Sequence, residues 1–425
     1  MKTCLQILIL FLTGSACFSQ PRPANYDENQ IPAYTLPDPL ICVNGKKITS
    51  QKEWEGKRRP EILELFREEV YGRVPANLPS FSWKVVRISL DALGGTAIRK
   101  DIQLIFSNNG DTVTADMIFF TPCRAKKAVP VFLGYNFDGN HTILRDPTIP
   151  LCKSWVANDP KLGINDNKAN ELSRGSDSSS WPVEEIIRRG YGLATIYYGD
   201  IDPDFDDGFQ NGIHALVYGK NGGKPGPGDW GSIASWSWAL SRALDYLQAD
   251  PLADPKKVIV IGHSRLGKTA LWAGAEDHRF ALVVSNNSGC GGAALSMRFF
   301  GESVAIINNH FPHWFCDNYD KYNDKEQSLP VDQHELIALI APRPVYIASA
   351  TEDRWADPVG EFLGGVKANP VYHLYKKKGI ERMEMPAPDQ PDMAGSIGYH
   401  LRTGGHAITL YDWECYMDFA DKMLK

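Results

Sequence analysis

The 425-residue sequence has few cysteines, no excess of basic residues and, beyond its first residues, no apolar run long enough to cross a membrane. The formal net charge is −6, and no basic clusters stand out, which argues against nucleic acid as a partner. The eight cysteines are too few for a disulfide scaffold, so we expect at most one or two bridges. No pair of them has the spacing of a zinc site, and we expect no metal or organic cofactor.

The N-terminus has the order of features typical of a secretory leader. Lys2 precedes an apolar run at 7–12, and small residues follow at 14–16. That run is too short to span a bilayer, so residues 1–19 are predicted to be a signal peptide with cleavage near Ser19. We therefore expect a secreted or periplasmic protein. Cys17 raises the less favoured alternative of a lipoprotein anchor.

Predicted strands and helices alternate along residues 20–425. This alternation indicates an α/β fold: a mostly parallel sheet covered by helices on both faces, in a three-layer αβα sandwich. We expect one domain, because no linker interrupts the mature chain, and a monomer. The predicted strands are 116–120, 128–133, 192–198, 258–261, 280–285 and 345–349. The predicted helices are 54–70, 183–189, 230–248, 333–340 and 410–424, with one more that ends near 276. Residues 200–228 are predicted to be a long loop.

The most informative segment is a buried strand that runs into a tight turn. Val258 to Ile261 leads into Gly-His-Ser-Arg-Leu-Gly at 262–267, and a helix is predicted to follow. This pattern is typical of a nucleophile elbow, which presents Ser264 at the end of a sheet and directs a helix N-terminus at the reacting oxygen. The second glycine lies one place later than in G-x-S-x-G. The alternative interpretation is an ordinary turn with a serine as helix cap.

A serine nucleophile needs a base, and the base needs an acid that orients it. In α/β-hydrolases the order along the chain is Ser, acid, His. His406 lies just before the last predicted helix, where this architecture places its base, and His400 and His373 are its rivals.

Three acids follow the late strand 345–349 and qualify for the third role. They are Glu352, Asp353 and Asp357, and their spacing does not choose among them. Arg265 follows the nucleophile, where a backbone amide normally contacts the oxyanion, and its side chain adds a fixed positive charge. The loop at 134–140 is a second candidate source of oxyanion amides.

The motif Gly-His-Ser-Arg-Leu-Gly-Lys at 262–268 resembles that of the glucuronoyl esterases, carbohydrate esterase family 15, in their bacterial branch. Further motifs continue the resemblance in the same order, at 285–292, 300–302, 312–315, 352–358 and 404–406. The resemblance implies an α/β-hydrolase fold with an open site. It also implies hydrolysis of esters that join (4-O-methyl-)glucuronic acid on glucuronoxylan to lignin alcohols, through an acyl-enzyme.

Individual roles follow from the same resemblance. It implies Ser264 as nucleophile, His406 as base and Arg265 as oxyanion stabiliser. The substrate-binding residues that it implies, through contacts with the uronate, are Lys268, Glu302 and Trp355.

One position departs from the family pattern. Many members carry the triad acid after the strand that follows the elbow helix, and Asn287 stands there instead. The resemblance then implies Asp353, on the later loop, as the acid. The alternative function is an acetylxylan or other small-acyl carbohydrate esterase on the same fold, and a non-catalytic carbohydrate-binding protein is the rival from another class.

Overall fold

A computed structural model of the chain describes residues 21–219 and 222–424. The predicted leader at 1–19 lies outside the described residues and stays a prediction. Within the described residues, no helix combines the length and the apolar character needed to cross a membrane. The six cysteines in this part of the chain are all free thiols.

Nine strands form one sheet in the order β1-β2-β3-β5-β4-β6-β7-β8-β9. The pairings from β5 through β9 are parallel, and β1, β2, β3 and β5 pair antiparallel at the other edge. The expected mostly parallel sheet is therefore extended by an antiparallel edge. The strands are β1 Ser80–Asp91, β2 Ala97–Asn108, β3 Asp111–Pro122, β4 Val129–Asn136, β5 Gly192–Tyr197, β6 Ala253–His263, β7 Leu282–Asn286, β8 Val345–Ala350 and β9 Ile397–Arg402.

Helices cover both faces of this sheet. A π-helical segment, Trp54–Arg58, joins the first two. The helices are α1 Gln51–Glu53, α2 Arg59–Glu69, α3 Ala92–Gly95, α4 Val183–Arg188, α5 Gly212–Tyr218, α6 Ser232–Ala249, α7 Arg265–Glu276, α8 Val304–His310, α9 Gln333–Ala338, α10 Pro358–Lys367, α11 Asn369–Leu374 and α12 Leu410–Leu424.

The central strands are buried on both faces, which explains their continuous apolar sequences. In β6, Val258 and Val260 join the core cluster that includes α6 and α7, whereas Ile259 and Ile261 join the cluster that includes α4 and α12. This alternation follows from the two-residue period of a strand. Parallel strands that end at one edge of such a sheet bring their following loops together there.

The structure corrects one expectation about local elements. The segment 200–228 is not a continuous loop, because α5 lies within it. The sequence patterns also missed α10, α11 and the last strand, β9. The terminal helix α12 runs over the predicted residues 410–424.

Candidate active site

Ser264 occupies the turn between β6 and α7 in a strained backbone conformation. Its φ is 56° and its ψ is −128°, although it is not a glycine. Such a conformation persists only where the surroundings enforce it, as in nucleophile elbows. A Cβ at Gly262 would lie 1.9 Å from the carbonyl oxygen of Leu266, and one at Gly267 would lie 3.0 Å from Cβ of Ser288. Close packing of the turn therefore requires a glycine at 262 and leaves little room for a side chain at 267.

His406 and Asp353 meet at the same end of the sheet. Nδ1 of His406 lies 2.6 Å from Oδ2 of Asp353. Asp353 follows β8 and is 5% exposed, and His406 lies between β9 and α12. Ser264 and His406 line one cavity of about 350 Å³.

The other two candidate acids point elsewhere. Glu352 is exposed, whereas Asp357 is buried and forms an ion pair of 2.9 Å with Arg298. Asp357 also caps α10 by accepting a hydrogen bond of 3.0 Å from the amide of Gly360. Of the three acids that spacing left open, Asp353 is the one in contact with His406.

Asn287 has a place in this arrangement. It follows β7 with φ of 46°, and its side-chain amide donates a 2.8 Å hydrogen bond to Oδ2 of Asp353. Burial disfavours ionisation of Asp353, but the hydrogen bond and charge of His406, together with the amide of Asn287, outweigh it. The pKa of Asp353 is therefore held below its ordinary value, and the carboxylate is ionised at neutral pH.

The rival histidines are committed to other partners. Nε2 of His400 lies 2.8 Å from Asp412, and this histidine is fully buried within β9. His373 lies at the surface, with Nε2 2.9 Å from Glu381.

A second imidazole packs against His406. The rings of His263 and His406 have centroids 4.5 Å apart, at an angle of 43°. Nδ1 of His263 lies 2.5 Å from Oδ1 of Asn286, whose amide donates to the hydroxyl of Tyr416 at 2.7 Å. Burial, followed by the nearby charge of His406, lowers the pKa of His263 to about 3. His263 is therefore neutral beside His406.

Arg265 is held by a partner that the sequence did not reveal. Its guanidinium donates to Asp204 and lies over the rings of Trp314, at 4.8 Å, and Phe311, at 5.5 Å. The amide of Arg265 begins α7 and therefore has no partner within the helix. Arg265 therefore brings two kinds of donor to the site, its backbone amide and its guanidinium.

Asp204 gathers several donors. Its carboxylate accepts from Nε2 of His313 at 2.8 Å, Nε1 of Trp314 at 2.7 Å and the hydroxyl of Tyr198 at 2.9 Å. Burial opposes ionisation, but the hydrogen bond from His313 and the charge of Arg265 lower the pKa of Asp204 well below its ordinary value. It lies in a stretch with several other acids, so nothing in the sequence singled it out.

Lys268, Glu302 and Trp355 form a separate group near Ser264. Lys268 lies one helical turn after Ser264, and its Nζ is 2.6 Å from the carbonyl oxygen of Ser288 and 3.6 Å from Oε2 of Glu302. The backbone amide of Glu302 donates to the carbonyl of Trp355 at 2.9 Å, and the Trp355 side chain is partly exposed. Burial raises the pKa of Glu302, and Lys268 opposes that shift. The group offers donors, an acceptor and an indole.

Arg402 supports the loop that carries His406. Its guanidinium donates to the carbonyl oxygens of Thr403 at 2.9 Å, Gly405 at 2.8 Å and Ala407 at 3.1 Å. Its Nε pairs with Asp412 at 3.0 Å. One side chain therefore fixes carbonyls on both sides of His406.

No group of three or more His, Cys, Asp or Glu side chains in residues 21–219 and 222–424 has a geometry suited to a metal ion. The side chains gathered at this end of the sheet are a serine hydroxyl, an imidazole, a carboxylate and a fixed guanidinium. This set suits acyl transfer through a covalent intermediate.

Comparisons with known proteins agree with this geometry. A family model described as "Glucuronyl esterase, fungi" matches residues 211–375. A carbohydrate esterase from an unknown prokaryotic organism is 51% identical over 99% of this chain and 98% of its own length. The 4-O-methyl-glucuronoyl methylesterase 1 of Wolfiporia cocos is 26% identical over 83% of this chain and 76% of its own length.

The solved structure of a glucuronoyl esterase from Solibacter usitatus is also similar. It is 46% identical, covers 93% of this chain and 100% of its own, and superimposes with a TM-score of 0.88. The expected α/β-hydrolase fold is confirmed by this likeness and by the strand order.

Proposed function

The chain belongs to carbohydrate esterase family 15, the glucuronoyl esterases, and from this premise we propose that it hydrolyses esters of (4-O-methyl-)glucuronic acid. The resemblance at 262–268 and the later motifs is confirmed at the level of the family. The contact between His406 and Asp353, beside the cavity that Ser264 also lines, carries the proposal.

The reaction begins with attack of Ser264 Oγ on the C6 carbonyl carbon of the uronate ester. His406 takes the serine proton, and Asp353 holds the imidazole in the tautomer that accepts at Nε2. His406 then returns the proton to the departing alcohol oxygen. Water, deprotonated by His406, attacks the acyl-enzyme and releases glucuronate and free Ser264.

Arg265 stabilises the oxyanion of both tetrahedral intermediates. Its backbone amide and guanidinium lie next to Ser264 in the chain, and Asp204 fixes the guanidinium against the ring of Trp314. A preorganised donor of this kind typically contributes about 3 kcal/mol to the transition state. Asp204 acts through Arg265 and is a positioning residue.

The sugar ring of the acyl part binds to Lys268, Glu302 and Trp355. The ammonium group donates to ring hydroxyls, the buried carboxylate accepts from them, and the partly exposed indole offers a flat apolar face. A buried Lys–Glu pair suits a sugar acid better than an acetyl group, because an acetyl group has no hydroxyl that either side chain can bind.

The natural substrate that we propose is glucuronoxylan esterified to lignin alcohols outside the cytoplasm. The predicted leader at 1–19 supports export, and the reaction links the enzyme to breakdown of plant cell walls. We do not expect nucleic acid or a membrane-spanning segment to take part.

A comparison of substrates tests the proposal. Values of kcat/KM for methyl glucuronate, methyl galacturonate and acetylated xylan are measured for the wild type, with Ser264→Ala as the blank. We expect glucuronate to be preferred by at least about tenfold, since a misplaced hydroxyl loses its hydrogen bond to Lys268 or Glu302. Faster release of acetate than of methanol would instead support the small-acyl alternative. If a fluorophosphonate did not label Ser264, the result would contradict both hypotheses, because each uses this serine as the nucleophile.

A further inference from the structure

We propose that residues 24–28 and Arg354 position the sugar site, because they hold Glu302 and Trp355 where the glucuronate ring contacts them. We call residues 24–28 the N-terminal segment. Since the proposed function assigns Glu302 and Trp355 to the sugar, the role of this segment depends on that function. The choice among sugar acids then depends on a part of the chain that is far from both residues in sequence.

Backbone hydrogen bonds join the N-terminal segment to the loop that carries Glu302. The carbonyl oxygen of Asn25 accepts from the amide of Gly301 at 2.8 Å, in an antiparallel bridge between these two residues. The side-chain amide of Asn25 donates to the carbonyl oxygen of Phe299 at 3.2 Å. Both contacts immediately precede Glu302 in the chain, so the segment fixes the backbone from which this carboxylate extends.

The same loop packs tightly against the loop that carries Trp355. The amide of Glu302 donates to the carbonyl oxygen of Trp355 at 2.9 Å. A Cβ at Gly301, whose φ is 65°, would lie 2.3 Å from that same oxygen. Gly301 therefore contacts the N-terminal segment on one side and Trp355 on the other. Because such close packing transmits displacements, a shift of the segment moves both sugar-binding residues.

Arg354 ties the segment to the loop of Trp355 by its side chain. Its guanidinium donates to the carbonyl oxygen of Tyr26 and lies over the rings of Tyr26, at 5.5 Å, and Phe300, at 5.4 Å. The two rings meet edge-on, with centroids 6.1 Å apart at an angle of 86°. A charge-assisted hydrogen bond and two aromatic contacts thus hold one side chain. Arg354 directly precedes Trp355, so these contacts also restrict the indole.

A buried arginine secures the other end of the segment. Arg298 donates to Glu28, forms an ion pair of 2.9 Å with Asp357 and lies over the ring of Phe300 at 5.3 Å. Because Arg298 is buried, removal of a carboxylate partner leaves its charge poorly compensated. The segment is therefore attached through Asn25 and Tyr26 at one end and through Glu28 at the other.

The ring of Tyr26 faces the sugar site. Partial burial raises the pKa of Tyr26, Arg354 opposes that shift, and the charges of Glu302 and Asp353 add to it. These carboxylates therefore lie close enough to act on the hydroxyl. None of residues 21–30 is buried, so the segment adds little to the hydrophobic core. Its contacts with the loops of Glu302 and Trp355 are instead what it contributes.

The test compares variants with methyl glucuronate and methyl galacturonate as substrates. Tyr26→Ala removes the ring, and Arg354→Gln removes the cation. Each should raise KM for methyl glucuronate about fivefold and change kcat by less than about twofold, because Ser264 and His406 keep their positions. The preference for glucuronate over galacturonate should fall by a similar factor.

Two further variants separate positioning from other roles. Tyr26→Phe keeps the ring beneath Arg354 and should restore the wild-type KM. A KM as high as that of Tyr26→Ala would overturn positioning, because the hydroxyl would then bind the sugar directly. The matched control is Arg242→Gln, which removes a cation that lies over the ring of Trp238 at 5.7 Å on α6. Its KM should equal that of the wild type.

A double-variant cycle identifies the residue through which the segment acts. On a Trp355→Ala background, Tyr26→Ala should raise KM by only about twofold, since the indole that it positions is already absent and Glu302 carries the rest. Binding is measured separately with Ser264→Ala, which does not turn over. Addition of Tyr26→Ala to that variant should raise Kd for methyl glucuronate about fivefold, in step with KM.

Three results would overturn the inference and leave the proposed function intact. They are an unchanged KM in both Tyr26→Ala and Arg354→Gln, full additivity of Tyr26→Ala with Trp355→Ala, and a fall in kcat and melting temperature at constant KM. If the wild type hydrolysed no glucuronate ester, the proposed function would be refuted and the inference with it.

Discussion

The side-chain amide of Asn287 and the ring of His406 contact the same oxygen of Asp353, at 2.8 Å and 2.6 Å. A position where many family members carry the triad acid thus donates a hydrogen bond to the carboxylate that we propose as the acid of this chain. The carboxylate of Asp353 is held from two sides, which fixes its orientation toward the base and favours its ionised form.

Asp353→Asn should lower kcat by about 10⁴-fold with little change in KM, because an amide favours the wrong tautomer of His406. The measurement is steady-state turnover of a methyl glucuronate ester. Glu352→Gln, one residue away and exposed, is the matched control and should retain nearly the wild-type rate. A slow Glu352→Gln and a fast Asp353→Asn would reverse the assignment.

Asn287→Asp should shift the acid limb of the pH profile of kcat/KM to higher pH. Two carboxyl groups at hydrogen-bonding distance cannot both ionise easily, so they share a proton and the pKa of the pair rises. Activity is then lost as the pH falls and recovers as it rises. Aspartate tolerates the positive φ at this position as asparagine does, which limits structural damage. An unshifted profile would show that Asn287 does not influence the acid.

Spacing in the sequence predicted the nucleophile and base but left the acid open among Glu352, Asp353 and Asp357. Only the resemblance to the family implied Asp353. The strand-turn-helix pattern marks Ser264 because local backbone geometry requires it. Asp353 is the acid that contacts His406, whereas Asp357 caps α10. Such a choice is tertiary and has no local signal.

Asp204→Ala should lower kcat/KM by about 10²-fold, although Asp204 does not touch the reacting atoms in the proposed mechanism. Without it, the guanidinium of Arg265 loses the partner that fixes it, and Arg265→Ala is expected to cost about 10²- to 10³-fold. The double variant should be little worse than Arg265→Ala alone, since both changes remove one interaction. Asp206→Asn, an exposed acid on the same segment, is the control. Fully additive losses would mean that Asp204 acts independently.

Glu361→Gln should change how stability depends on pH. Burial raises the pKa of Glu361 to about 8, so the native state keeps a proton that the unfolded state releases above its ordinary value of 4.5. Its contribution is therefore fully present below about pH 4.5 and is lost as the pH rises through about 8.

In the variant, we expect the free energy of unfolding to fall less between pH 5 and 8, with a difference on the order of 2 kcal/mol. Glutamine can still accept from the amides of Ser288 and Gly289, where Oε1 accepts at 2.7 Å and 3.0 Å. Urea midpoints at pH 5, 6.5 and 8 provide the measurement, with the exposed Glu384→Gln as control. Parallel pH curves for Glu361→Gln and the wild type would show that Glu361 is ionised in the native state.

Strand β9 shows why part of the fold escaped the sequence. It contains His400 and Arg402, which are polar residues in a buried strand, and the preceding segment is rich in turn-forming residues. Their burial is possible because Asp412, in the first turn of α12, pairs with both. Ile397, Tyr399 and Leu401 alternate with small or polar residues, which is the pattern of a short half-exposed strand, and only the partner on a later helix allows both faces to be buried.

Arg402→Lys tests whether this buried pairing also serves catalysis. A lysine places one compact charge where the guanidinium makes a planar fork, so it cannot hold the carbonyls of Gly405 and Ala407 together with Asp412. We expect kcat to fall by about 10- to 100-fold with KM almost unchanged, because the sugar-binding residues lie on other elements.

In Arg402→Lys, labelling of Ser264 by a fluorophosphonate should slow by a similar factor, since the labelling reaction also needs a correctly positioned His406. The control is Arg382→Lys, an exposed arginine that should change neither rate. Arg402→Ala with added guanidinium ion provides the decisive arm: partial recovery of kcat shows that the missing fork is the cause. If Arg402→Lys lowered the melting temperature and left kcat unchanged, the role of Arg402 would be structural only. The loop would then hold His406 in place without the guanidinium.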